Sequence, residues 1–141
     1  MQHIFLDTNV ILDFLSDRQP FSEFAAILFQ MAKDKKIKLY VSAISFNNIY
    51  YILRKVTTHK KALKLISGIE NLVEILDTNR KIIRQSINSN FKDFEDAIQY
   101  YSAVESGIID VIATRDIKGF RNSDIPILSP ESTVKIIMNQ L

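Results

Sequence analysis

Two short strand-like stretches, each ending abruptly in a polar, acidic triplet, constrain this chain more than anything else in it. Ile4-Phe5-Leu6 stops at Asp7-Thr8-Asn9, and Ile108 to Thr114 closes on Thr114-Arg115-Asp116. Runs this short, rich in branched and aromatic side chains, suit strands buried on both faces, as in parallel sheets. Open parallel sheets bind their ligands outside the carboxyl ends of the strands. Asp7 and Asp116 are therefore both expected at that edge. Thr8 and Asn9 are helix-capping types, so Val10-Ile11-Leu12 is expected to open a helix.

The intervening sequence alternates in the same way. Ser22 to Lys33 has apolar residues at helical spacing (Phe24, Ile27, Leu28, Met31), and Lys38 to Ser42 reads as a strand. Ser45 can cap a helix with Phe46, Ile49, Tyr50 and Leu53 inward, and Lys60 to Asn71 continues helical. Leu72 to Leu76 is strand-like, and Asp77 or Thr78 can start a helix bearing Ile82, Ile83 and Ile87. Asp93 can cap a further helix that runs to Ser106 and stops at Gly107. Ile125 to Leu128 makes a last short strand, and Ser129-Pro130 a cap and first turn for the closing helix.

Strands alternating with helices predict a three-layer α/β/α fold with a central, mostly parallel sheet, as one domain over residues 1–141. The 141 residues, 47% of them hydrophobic, are enough to bury a core. No apolar run approaches the roughly 20 residues that span a bilayer. The early Asp7 and the lack of a basic leader argue against a signal peptide. With no cysteine in the chain, a cytoplasmic protein is expected.

The acids then define a chemistry. Asp93 and Asp96 share the first turn of one helix, and helix starts follow the carboxyl ends of parallel strands. Asp7, Asp96 and Asp116, with Asp93 close by, can therefore meet. Taken singly each has a plainer reading: Asp93 and Asp96 as helix-start acids favoured by the dipole, Asp7-Thr8-Asn9 as a turn and cap, Asp116 as a loop residue. Together they make a set of hard oxygen donors without His or Cys, suited to Mg²⁺ or Mn²⁺ and to hydrolysis of a phosphodiester. Charge is distributed to match. No acid occurs between Asp34 and Glu70, while Lys35, Lys36, Lys38, Arg54, Lys55, Lys60, Lys61 and Lys64 do, a flank suited to a polyanion. Lys55, Lys60, Lys61 and Lys64 are the candidate phosphate contacts.

These residues resemble those of the PIN domain, the small ribonuclease fold common among VapC-type bacterial toxins. The resemblance covers nearly the whole chain. It rests on Leu6-Asp7-Thr8-Asn9, on Ser42 leading into Ile49-Tyr50-Tyr51, on Asp93-Phe94-Glu95-Asp96-Ala97, on Thr114-Arg115-Asp116 with Lys118-Gly119-Phe120, and on Ile127-Leu128-Ser129-Pro130. It implies a Mg²⁺ or Mn²⁺ site built on Asp7, Asp96 and Asp116, with Asp93 as a frequent extra acid and Asn9 and Thr114 in support. It also implies cleavage of RNA, an antitoxin partner, and self-association as a homo-oligomer, a dimer being expected. One position departs: a glutamate commonly stands six residues after the serine that ends the second strand, and here that residue is Asn48. Asn48 offers a carbonyl oxygen and no charge. Asp13, Asp93 and Glu95 are the acids that could make up the loss. If none does, a binding module without catalysis is the alternative reading.

Overall fold

The computed structural model describes residues 1–120 and 122–141. In chain order these form β1 (Gln2–Leu6), α1 (Thr8–Leu15), α2 (Phe21–Lys33), β2 (Ile37–Ser42), α3 (Ala43–Leu53), α4 (His59–Glu70) and β3 (Glu74–Leu76). There follow α5 (Arg80–Ile87), α6 (Phe94–Ser106), β4 (Val111–Ala113), a 3₁₀ turn at Ile117–Phe120, β5 (Ile127–Leu128) and α7 (Pro130–Gln140). The strands lie in the order β3-β2-β1-β4-β5, and every pairing is parallel.

Strand residues alternate between two cores, as a side-chain period of two requires. Ile4 and Leu6, Leu39 and Val41, and Val111 and Ala113 pack with Ile11 of α1, Leu28 of α2, Ile49 of α3, Ala62 of α4 and Val134 of α7. Phe5, Tyr40 and Ile112 point the other way, onto Tyr100 and Ala103 of α6 and Phe120 of the 3₁₀ turn. This two-sided coverage explains why β1 reads as a continuous apolar run: Ile4, Phe5 and Leu6 are all 0% exposed. Among the described residues no helix is long and apolar enough to cross a membrane.

The topology selects one crevice. From β1 the chain moves outward to β2 and β3, then returns to place β4 on the other side of β1. The strand order thus reverses between β1 and β4, and ligands of such sheets bind outside the strand ends at that point. Leu6 is in register with Ala113, and the Asp7 amide donates to the Ala113 carbonyl at 3.0 Å. Asp7 and Thr114 therefore leave the sheet side by side.

Several helix starts differ from the sequence reading. The residue ahead of α1 is Asp7 and not Thr8 or Asn9, and its side chain makes no capping bond. Ser42, not Ser45, precedes α3, and Asn79, not Asp77 or Thr78, caps α5 by accepting from the Ile82 amide. Three strands are shorter than their expected runs, β3 starting at Glu74, β4 at Val111 and β5, which pairs with β4 over Ile127 and Leu128 alone, at Ile127. Each is limited by its ladder: β3 pairs only with Tyr40 to Ser42, and β4 meets β1 only from Ile4 onward. The signals around α6 and α7 hold as read. Asp93 caps α6, Gly107 takes the left-handed conformation at φ 70°, and Ser129 caps α7 ahead of Pro130.

Candidate active site

Asp7 is 3% exposed, and its carboxylate is held from both sides. Gln99 of α6 donates through Nε2 to Asp7 Oδ1 at 3.0 Å, and the Thr114 hydroxyl donates to Oδ2 at 2.7 Å. Gln99, itself fully buried, accepts from the Thr8 amide through Oε1 at 3.2 Å, so one side chain ties α6 to the start of α1. Thr114 Oγ1 in turn accepts from the Asp116 amide at 2.9 Å, which links Asp7 to the loop that carries Asp116. Burial raises the Asp7 carboxyl above its ordinary value of 3.8; the bonds from Thr114 and Gln99 work against this, and the charge of Glu95 adds to it.

Asp96 and Asp116 meet over Gly119. A Cβ at that glycine would lie 2.7 Å from Asp116 Oδ2 and 2.9 Å from Asp96 Oδ2, so both oxygens converge on one spot that only glycine leaves open. The Gly119 amide also donates to Asp116 Oδ1 at 3.2 Å. Asp96 is pushed from 3.8 up to about 7, first by burial and then by the charges of Asp7, Asp93, Asp116 and Glu95. Four like charges acting on one carboxyl are a strong physical reason for a cation to bind here. The donor chemistry fits a hard divalent ion. Among the described residues no three acidic or histidine side chains form a metal-holding group. The Asp96–Asp116 pair is together, while Asp7 stands behind it on its own hydrogen bonds.

The other expected residues divide. Thr114 supports Asp7 directly. Asp93 spends Oδ1 on the Asp96 amide at 2.9 Å, the plain capping role, and also lines the depression above Asp96 and Asp116. Asn9 is half-buried, and its Oδ1 has no hydrogen-bond partner among the described residues. Asn48 donates through Nδ2 to Glu95 Oε2 at 2.5 Å. Asp13 is removed from the compensating acids: it is 1% exposed and consumed in an ion pair with Arg115. Lys55 follows α3, and Lys60, Lys61 and Lys64 ride on α4, all exposed. None of these four lysines lines the acidic depression, whose described lysines are Lys92 and Lys118.

The sequence reading missed Gln99, Lys92 and Lys118 as site residues. Gln99 had a signal, as a polar side chain amid Ala97, Ile98 and Tyr100 on the buried side of α6, one turn after Asp96. Lys92 and Lys118 each stand within two residues of an acid of the site, Asp93 and Asp116. The tyrosines are mainly packing: Tyr40 and Tyr100 are buried, and Phe91, which lines the depression, packs edge-on or tilted against Tyr100, Tyr101 and Phe120.

Fold and site together give a small α/β domain in which Asp96 and Asp116 converge, with Asp7 buried at the end of β1, at the switch point of a parallel sheet. Residues 3–118 match the family model of the PIN domain, and the chain belongs to that family. It is 30% identical over 135 residues to ribonuclease VapC1 of Aquifex aeolicus, covering 92% of each chain. Among solved structures, DNA-bound VapBC from Salmonella typhimurium superposes with a TM-score of 0.67 at 16% identity, over 92% of this chain and 99% of that one. VapC20 of Mycobacterium tuberculosis, described as a Sarcin-Ricin loop cleaving toxin, gives 0.64 at 13% identity, over 84% and 94%. At such identities these two structures share the fold with this chain.

Proposed function

We propose that this chain is a VapC-type endoribonuclease that hydrolyses RNA phosphodiester bonds with a divalent cation, Mg²⁺ or Mn²⁺, and is the toxin half of a toxin–antitoxin pair. The observation that carries this reading is the convergence of Asp96 and Asp116 over Gly119, beside a buried Asp7. The similarity to ribonuclease VapC1 across 92% of the chain supports the substrate class.

Asp96 and Asp116 would hold the cation, with Asp7 completing the set from the end of β1. When bound, such an ion polarises a phosphodiester and lowers the pKa of a coordinated water. The chain's own part is orientation. Thr114 and Gln99 fix the Asp7 carboxylate, and the Gly119 amide fixes Asp116. Lys92 and Lys118 supply positive charge for the scissile phosphate, and Lys55, Lys60, Lys61 and Lys64 contact phosphates farther along the strand. Asp93 adds charge at the rim. An antitoxin partner belongs to the same reading, since the fold is shared with VapBC assemblies from other organisms, and a homodimer is the self-association that the family resemblance implies.

The test is cleavage of a fluorogenic RNA with and without Mn²⁺. Asp7→Asn, close in shape but with a donor amide in place of one acceptor oxygen, is expected to abolish divalent-dependent cleavage at temperatures where its melting curve shows it folded. Cleavage undiminished by that change overturns the assignment. The competing reading, a module that binds without cutting, started from the uncharged Asn48. It predicts no Mn²⁺-dependent cleavage by the unaltered protein.

A further inference from the structure

Position 48 is uncharged, yet its side chain is not idle. Asn48 Nδ2 donates at 2.5 Å to Glu95 Oε2, and the same oxygen accepts from the Thr8 hydroxyl at 2.9 Å. Because that hydroxyl has one proton and gives it to Glu95, the Ser45 hydroxyl, 2.7 Å away, must donate to Thr8. A relay from Ser45 through Thr8, joined by Asn48, thus aims two donors at one oxygen of Glu95. Among the described residues no donor reaches the other oxygen, Oε1. Glu95 is half-buried in the first turn of α6, next to Asp96, and Thr8, which bonds it, also donates its amide to Gln99, the residue that holds Asp7. Three residues from α1 and α3 therefore orient an acid that the helix start alone would leave to solvent.

We propose that Glu95 is a working member of the acidic set: held by Asn48 and Thr8, it delivers from α6 the carboxylate that α3 lacks at position 48. The inference rests on the cation-dependent reading above, and it explains two features that reading leaves unused. Asn48 is an amide because its partner is an acid; a glutamate at 48 would put two carboxylates in contact. Thr8 is inside the first turn of α1 and not a cap because its hydroxyl is committed across the site. Glu95 acts either as a ligand through Oε1 or as charge just behind Asp7 and Asp96, and in both cases it strengthens the hold on a divalent cation.

The experiment is a charge transplant read by Mn²⁺ titration calorimetry on the full chain, with melting temperature as the folding control. Glu95→Gln keeps an acceptor for Asn48 and Thr8, so a merely structural Glu95 predicts little change in affinity. The proposal predicts roughly 10- to 100-fold weaker Mn²⁺ binding with the metal-free melting temperature unchanged or raised. Asn48→Glu combined with Glu95→Gln returns the charge from the other side and is expected to recover most of that affinity. Unchanged binding by Glu95→Gln overturns the proposal, as does a double variant no better than the single one. Asp116→Asn run alongside separates the two levels. Loss of Mn²⁺ binding there with none in Glu95→Gln sinks the role of Glu95 alone. Mn²⁺ binding without RNA cleavage by the unaltered protein sinks the ribonuclease reading and leaves Glu95 standing, and no Mn²⁺ binding at all ends both.

Discussion

The loop that carries Asp116 is anchored by one buried ion pair, and breaking it is the most quantitative test of how this site is held. Asp13 on α1 is 1% exposed and takes Arg115 in a fork, Nε to Oδ2 at 2.5 Å and Nη2 to Oδ1 at 3.0 Å. The guanidinium also lies over the Phe21 ring, 4.1 Å from its centroid. Removing one partner of a fully buried pair costs about 3–5 kcal/mol. The loss here is smaller for Asp13→Asn, because Arg115 keeps 31% exposure and water can take over part of its solvation. About 2–3 kcal/mol is expected, or a fall in melting temperature of roughly 8–10 °C for a domain of this size. Arg115→Ala should cost about 1–2 kcal/mol more. It strands a carboxylate at 1% exposure with only Arg18, 3.7 Å away and 48% exposed, to answer it. Chemical denaturation of both single variants and the double variant yields the coupling, expected near 2 kcal/mol. Arg18→Ala serves as a control within about 0.5 kcal/mol. A coupling under about 0.5 kcal/mol, or Asp13→Asn costing more than Arg115→Ala, refutes the argument. Since Arg115 directly precedes Asp116, both variants should also lose RNA cleavage at temperatures where they remain folded.

Three further outcomes follow from the site. Gly119→Ala puts a methyl 2.7 Å and 2.9 Å from the Asp116 and Asp96 oxygens, so Mn²⁺ affinity in calorimetry should fall at least tenfold for a small change in melting temperature. Gln99→Leu, close in volume, leaves the buried Asp7 Oδ1 and the Thr8 amide unpaired and should cost about 2–3 kcal/mol in denaturant unfolding, with cleavage lost as well. Asp96 holds its proton more tightly when folded, so the stability tied to that proton is fully present below pH 3.8 and is lost as pH rises through about 7. Metal-free melting temperature should therefore decline across that window while Mn²⁺ binding tightens, and Asp96→Asn should flatten both trends.

The parts of this fold legible in the sequence are those decided by burial. Ile4, Phe5 and Leu6 had to be a strand because all three positions are covered, one face by α1, α2, α3, α4 and α7 and the other by α6. Asp7 and Asp116 could be placed at the rim for the same reason, each being the first acid after such a run. Local rules also held at Asp93, Gly107 and Ser129, which serve α6 and α7 as their chemistry suggests.

The capping rules failed at Asp77 and Thr78, where Asn79 caps instead, and at Thr8 and Ser45, where the two failures share one physical cause. A serine or threonine caps a helix because its oxygen has no better partner than the nearby amides. At Thr8 and Ser45 a better partner exists, reached only once α1, α3 and α6 have packed: Ser45 bonds Thr8, and Thr8 bonds Glu95. Asp7 repeats the pattern. It occupies the cap position of α1 but gives both oxygens to Gln99 and Thr114, residues distant in sequence. Thr8, Ser45 and Asp7 forgo a local cap for a long-range contact, and all three belong to the network around Asp7, Asp96 and Glu95, whereas Ser42 ahead of α3 and Thr78 ahead of α5 neither cap nor find a partner among the described residues. What sets the site apart is therefore the recruited departure, a polar group that leaves its local role for a partner distant in sequence. They also explain why Glu95 was hard to choose from sequence among Asp13, Asp93 and Glu95. Its neighbours Asp93 and Asp96 carry the helix-start signal, and what distinguishes Glu95 is supplied by Thr8 and Asn48, on helices far earlier in the chain.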